Sequence, residues 1–143
     1  MTSARERRLL RVGLALFVGT YLVHGMVHVV RATTPMVTVM AGWALLAAAA
    51  GVLVAAWRGR PSAMATLVVS ALGGGGLASV HLLPIWGPFG EPWDAGVHLV
   101  WWMSLFLALF GAVWAASVAC YVLRCERTRR QSCTYAPTGS PAG

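Results

Sequence analysis

The sequence has very little charge for its length. Only 10% of its 143 residues are charged, and only four residues are acidic. A soluble domain carries about 25% charged residues and could not cover its surface with so few. With 58% hydrophobic residues and a mean hydropathy of +0.70, the composition predicts an integral membrane protein of one domain.

Several chemical groups are also absent, and each absence excludes a class of protein. No carboxylate lies inside a long apolar run, which argues against a proton-coupled exporter and a carboxylate-bridged di-iron centre. The three cysteines, Cys120, Cys125 and Cys133, form no C-x-x-C pair, which excludes a disulfide-exchanging enzyme. The sequence also has no glycine-rich loop of the kind that binds nucleotide phosphates, and no G-x-S-x-G sequence of the kind that carries a serine nucleophile.

Four apolar runs each match or exceed the roughly 20 residues that cross a bilayer as a helix. They cover residues 9–31, 36–57, 62–83 and 97–123. All seven prolines lie outside them or at their boundaries, where helix-breaking residues are expected. The sequence therefore predicts an all-α fold, an up-down bundle of four transmembrane helices spanning residues 1–125.

The basic residues predict the orientation of this bundle. All eleven are arginines, and ten of them lie before or at the start of the first run, join the second to the third, or follow the fourth. By the positive-inside rule, both termini are cytoplasmic and the protein is a multi-pass protein of the cell membrane. Because the arginines flank apolar runs, the net charge of +7 indicates topology, and we expect no nucleic-acid partner. Residues 126–143 have no apolar periodicity, and we expect a disordered cytoplasmic tail.

The four histidines, His24, His28, His81 and His98, all fall in the outer half of the predicted bundle. His24 and His28 are spaced i, i+4, so they share one helix face and can chelate one metal ion. Polar side chains in a membrane helix are expected to face the bundle interior. The histidines therefore predict a metal site at the outer face that binds Cu, Zn or Fe.

Four consecutive glycines, 73–76, precede His81 on the third run and imply that something approaches this helix closely. A neighbouring helix, a cavity or a flat cofactor would each explain them. Haem b is one candidate, with Gly73 and Gly74 against the porphyrin and with His24 or His28 paired with His81 or His98 as its ligands, His24 and His81 being the pair we expect. His24 and His28 cannot be opposite axial ligands of one iron, because they lie on the same helix face.

Two other interpretations remain open. In the first, the histidines serve only as hydrogen-bonding groups in a structural or accessory subunit that binds no cofactor. In the second, one of them is the base of a membrane enzyme, or part of a site that binds lipid or a small molecule. The sequence does not decide whether the protein is an enzyme. The partners expected are the lipid bilayer and other membrane or redox subunits.

The first run, from Arg8 through Arg11 to the pair His24-Gly25, resembles the opening of DoxX-like four-helix membrane proteins. The second and third runs are similar to that family in Ala-Gly-Val-Leu at 50–53, the arginine-containing turn at 58–61, and Val-His-Leu at 80–82. The family's acidic residue in the second helix has no counterpart here. The resemblance implies a small membrane subunit associated with redox or oxidative-stress partners, and it touches Arg11, His24 and His81.

Overall fold

The computed structural model describes residues 3–31, 36–82 and 99–134. Within these ranges the chain forms four α-helices and no strand: α1 (Ala4–Arg31), α2 (Met36–Trp57), α3 (Ala63–His81) and α4 (Leu99–Thr134). Each helix is long and apolar enough to cross a membrane, which confirms the predicted all-helical class and the four membrane-spanning candidates.

The first helix begins earlier than the apolar pattern predicts, because its start is capped. Ser3 Oγ accepts a hydrogen bond from the Glu6 backbone N–H, and the Glu6 carboxylate accepts one from the Ser3 N–H. This reciprocal pair is a capping box, which supplies acceptors for two backbone N–H groups that are otherwise unpaired at the start of a helix. Helix α3 has a simpler cap, since Ser62 Oγ accepts from the Ala65 N–H at 3.1 Å.

The turn between α2 and α3 is made by a glycine in a conformation that other residues rarely adopt. Gly59 has φ +85°, and the Arg60 N–H bonds to the Ala55 carbonyl at 2.9 Å. Together with the bond from the Gly59 N–H to the Ala56 carbonyl, this is a Schellman ending. It stops α2 at the boundary that the sequence predicts.

The last helix is longer than predicted. Residues 126–134 continue α4, whereas the sequence pattern predicts disorder from residue 126. One reason is a tertiary contact: Arg129 donates a hydrogen bond to the buried Glu6 carboxylate in an ion pair. The remainder of the predicted tail, 135–143, lies outside the described residues.

Helix α4 packs on both α1 and α3, whereas α2 packs mainly on α1. Three apolar clusters lie along the bundle. The first contains Leu10, Ala63, Ala119 and Val122; the second contains Leu14, Phe17, Ala49, Ala56, Val69, Ala112 and Ala115; the third contains Leu77, Trp101, Leu105 and Ala108. Large apolar side chains such as Val12, Leu72 and Phe110 are exposed, as expected of a surface that contacts lipid rather than water.

Helix α2 is the least enclosed of the four. Only 17% of its most apolar window is buried, against 33% for α1 and α3 and 39% for α4. Its buried residues, Ala49 and Ala56, are in its second half, and none of residues 38–48 is buried. Near its end, Ala56 accepts a hydrogen bond from Arg11 Nε at 3.0 Å, and the Arg11 guanidinium lies over the Trp57 ring.

Candidate metal centre

Three histidines from two helices meet at one point in the bundle. His24 and His28 lie on successive turns of α1, and His81 is the last residue of α3. The Nε2 atom of His24 lies 3.0 Å from Nε2 of His28 and 3.3 Å from Nε2 of His81. One nitrogen from each ring lies within 4.8 Å of the other two. The convergence expected from the sequence is therefore present for these three residues.

The cluster is well shielded. His24 is 2% exposed and His81 is 6% exposed, while His28 is half-buried. Trp101 of α4 packs edge-on against His81, with ring centroids 5.2 Å apart, and His28 and His81 are stacked at 5.1 Å. These contacts hold the rings in fixed orientations, which a ligand set requires.

Ser104 of α4 determines which nitrogen of His24 carries the proton. The Ser104 hydroxyl donates its hydrogen to the Trp101 carbonyl at 2.8 Å, and its oxygen lies 3.1 Å from His24 Nδ1. A hydroxyl has one hydrogen to donate, so Oγ is the acceptor and Nδ1–H of His24 is the donor. In neutral His24, Nε2 therefore carries the lone pair, directed towards the other two histidines. Fixing a ligand's tautomer in this way is typical of metal sites.

Hydrogen bonds alone account poorly for the two contacts at His24 Nε2. A neutral imidazole nitrogen has one lone pair in the ring plane, so it accepts one well-directed hydrogen bond, from His28 or from His81. A metal ion instead accepts a lone pair from each ring. With bonds of about 2.05 Å, nitrogens 3.0 and 3.3 Å apart subtend about 95° and 107° at the metal. Both angles are compatible with pairs of imidazole ligands on one metal ion.

A cavity of about 250 Å³ adjoins the cluster. It lies between α1, α2 and α3, and His28 and His81 form part of its wall. Most of its remaining lining is apolar, with Tyr21 and Thr38 as the other polar side chains. The candidate metal centre is thus next to a space large enough for a small molecule.

The glycines predicted to face a cofactor are instead in contact with neighbouring helices. A Cβ added at Gly73 would lie 2.5 Å from the Phe17 ring, and one added at Gly74 would lie 3.1 Å from Ala112 Cβ. Helix packing therefore explains both residues without a porphyrin.

The observed arrangement of His24 and His81 also does not fit a bis-histidine haem. Two axial nitrogens on opposite sides of an iron would be about 4 Å apart, taking the bond of about 2.0 Å typical of imidazole and transition metals. The observed separation is 3.3 Å, which is shorter. Haem therefore does not fit between His24 and His81 as they are placed, and a pairing that involves His98 stays a prediction.

Sequence reasoning did not find Ser104, and it left His98 as a fourth candidate ligand. His98 and the predicted outer loop lie outside the described residues, so the role of His98 stays a prediction. Ser104 carries no motif that marks it. The only available signal was its position on α4, three residues after Trp101, at a depth similar to that of His24 if α1 and α4 are antiparallel.

Comparisons of the chain with known protein families, with curated proteins and with solved structures found no match. The resemblance to DoxX-like proteins therefore stays a prediction, and the function of the site has to be inferred from the chain's own residues.

Proposed function

We propose that this protein is a small multi-pass membrane protein that binds one transition-metal ion through His24, His28 and His81. The observation that carries the proposal is the convergence of three imidazole nitrogens, with His24 Nε2 only 3.0 and 3.3 Å from the other two. Support comes from Ser104, which orients His24 so that its lone pair faces this point.

The helices form an up-down bundle in this proposal, with both ends of the chain on the cytoplasmic side. Contacts between residues far apart in sequence support it: Glu6 near the start of α1 pairs with Arg129 near the end of α4. At the opposite end of α1, His24 meets His81 at the end of α3. Because the arginine clusters mark the cytoplasmic side, the metal centre lies towards the outer face of the cell membrane.

Imidazole ligands favour Zn, Cu, Fe or Ni over Mg and Ca. Within the described residues, no carboxylate or thiolate joins the three histidines. Three protein ligands and an open position are characteristic of catalytic rather than purely structural zinc sites. A role beside redox partners, as the DoxX resemblance implies, would require Cu or Fe in place of Zn. The identity of the metal would thus distinguish a catalytic zinc site from a redox-associated subunit that binds Cu or Fe.

The direct test is to purify the protein in detergent, add Co²⁺ or Zn²⁺, remove free metal and measure bound metal by mass spectrometry. We expect one ion per chain in the wild type. Cobalt is also expected to give visible absorption bands whose intensity reports a low coordination number. A wild-type protein that retains no ion at micromolar metal would overturn the proposal.

A variant series separates this proposal from the structural-subunit alternative. His24→Ala removes the central nitrogen and should abolish retention, whereas Thr66→Val alters another buried polar residue that does not touch the cluster and should not. If the histidines serve only as hydrogen-bonding groups, neither the wild type nor His24→Ala will retain metal. His24→Ala will then only lower the thermal stability. Circular dichroism on each variant reports whether the helices remain folded.

A further inference from the structure

We propose that the cavity beside the cluster binds a compact, lipid-soluble molecule with an apolar body and one nitrogen or oxygen donor. The donor occupies the open position on the metal, and the apolar body lies between α1, α2 and α3. This inference rests on the proposed metal centre and names the kind of ligand that the centre takes.

The size and lining of the cavity define the ligand's body. An apolar cavity of about 150 Å³ in another protein accommodates benzene, so about 250 Å³ suits a substituted single ring. Among the residues that the structure describes, no Asp, Glu, Lys or Arg lines the space. A charged group on the ligand's body would lose its hydration against these walls without a protein charge to replace it. The cavity therefore favours a ligand with an uncharged, apolar body that reaches it from the bilayer.

The position of the cavity defines where the donor group lies. His28 and His81 line it, whereas His24 does not. The Nδ1 side of His24 is closed by Ser104. His28 and His81 are therefore the two histidines of the cluster that border the open space. A ligand in the cavity reaches a metal held by the cluster from their side.

A second polar contact is available within the same space. Thr38 Oγ1 is a buried atom with no hydrogen-bond partner among the described residues, and Thr38 lines the cavity. A buried hydroxyl without a hydrogen bond is destabilising, and a ligand with a second polar atom would supply the missing partner. Polar groups of this kind, few and set in an apolar wall, are typical of small-molecule sites.

Two neighbouring glycines allow a closely matched test. A Cβ added at Gly76 or at Gly75 meets no atom within 4 Å, yet only Gly76 lines the cavity. Gly76→Phe is expected to fill the space, and Gly75→Phe adds the same side chain to the same helix outside it. Both substitutions replace glycine by a better helix former.

The probe is 4-phenylimidazole, which joins a donor nitrogen to one apolar ring, and imidazole is the comparator without the ring. Each is titrated into Co²⁺-loaded protein, and the change in the cobalt bands is followed. We expect 4-phenylimidazole to bind at least about tenfold more tightly than imidazole, because it buries its phenyl ring. Gly76→Phe should remove this preference, and Gly75→Phe should keep it to within about twofold.

The outcomes separate this inference from the metal proposal. If cobalt bands form but 4-phenylimidazole binds no better than imidazole, or binds Gly76→Phe as well as wild type, the ligand site is refuted and the metal centre stands. If no variant and no wild-type protein shows cobalt bands, both are refuted.

Discussion

Replacing Ser104 by alanine should weaken metal binding while the helices remain folded. The substitution removes the oxygen that accepts from His24 Nδ1–H and leaves the rest of α4 in place. Without that acceptor, the protonated nitrogen of His24 is no longer fixed. The ring then populates the tautomer in which Nε2 carries hydrogen and cannot bind a metal ion.

The expected loss of metal affinity can be worked out from the hydrogen bond between Ser104 and His24. Ser104 is 4% exposed and His24 is 2% exposed, so water does not readily replace the lost acceptor. A buried donor left without its partner costs about 1–3 kcal/mol. Loss of a group that orients a ligand typically reduces metal affinity about 10- to 100-fold, or about 1.4–2.8 kcal/mol. The cost of the unpaired donor and the expected loss of metal-binding free energy are thus of similar size.

The assay is a competition titration of Zn²⁺ between the detergent-solubilised protein and a coloured chelator. Ser70→Ala is the matched control, because Ser70 is also buried and its hydroxyl bonds to the Thr66 carbonyl on α3. Nitrogen NMR of the metal-free protein gives a second readout, since it distinguishes the two imidazole tautomers. We expect Ser104→Ala to change the His24 tautomer population and Ser70→Ala to leave it unaltered.

An affinity for Zn²⁺ in Ser104→Ala within about threefold of wild type would refute the idea that Ser104 fixes the tautomer. Equal weakening in Ser104→Ala and Ser70→Ala would refute it too, because the effect would then reflect general loosening of the bundle.

Further predictions concern the ligands, the packing and the chain ends. Metal affinity should fall steeply as the pH is lowered, because protons compete for the imidazole nitrogens; a pH-independent affinity would argue against histidine ligation. Gly111→Leu should lower the melting temperature sharply, because an added Cβ would collide with the Thr20 hydroxyl on α1, whereas Gly51→Leu enters open space and should not. Glu6→Gln should accelerate amide hydrogen exchange over residues 126–134 by removing the charge that pairs with Arg129; unchanged exchange there would mean that α4 holds its end without this contact.

The four helices were predictable because each is encoded locally. Apolar runs, flanking arginines and boundary prolines gave α2 its observed bounds of Met36–Trp57. The early start of α1 was also visible in the sequence, as Ser3 followed by Glu6 three residues later. The end of α4 was not, because the contact that involves Arg129 comes from a residue 123 positions away.

The site was predictable only in part for a similar reason. The spacing of His24 and His28 guarantees a common helix face, and the position of His81 is set by the length of α3. Ser104 depends on how far α4 is shifted along α1. That shift is set by close packing around Gly111, where an added Cβ would meet the Phe17 backbone at 3.2 Å, and such packing has no periodic signature.

Helix α2 is held to α1 near its C-terminal end, so it can pivot about that end. Its last residues are tied to α1 through Arg11, while its first half, which forms one side of the cavity, has no buried residue among 38–48. A helix of 22 residues is about 33 Å long, so a rotation of about 5° at the Arg11 end moves the other end by about 3 Å. Widening the cavity thus requires only a small angular motion of the helix that is the least buried of the four.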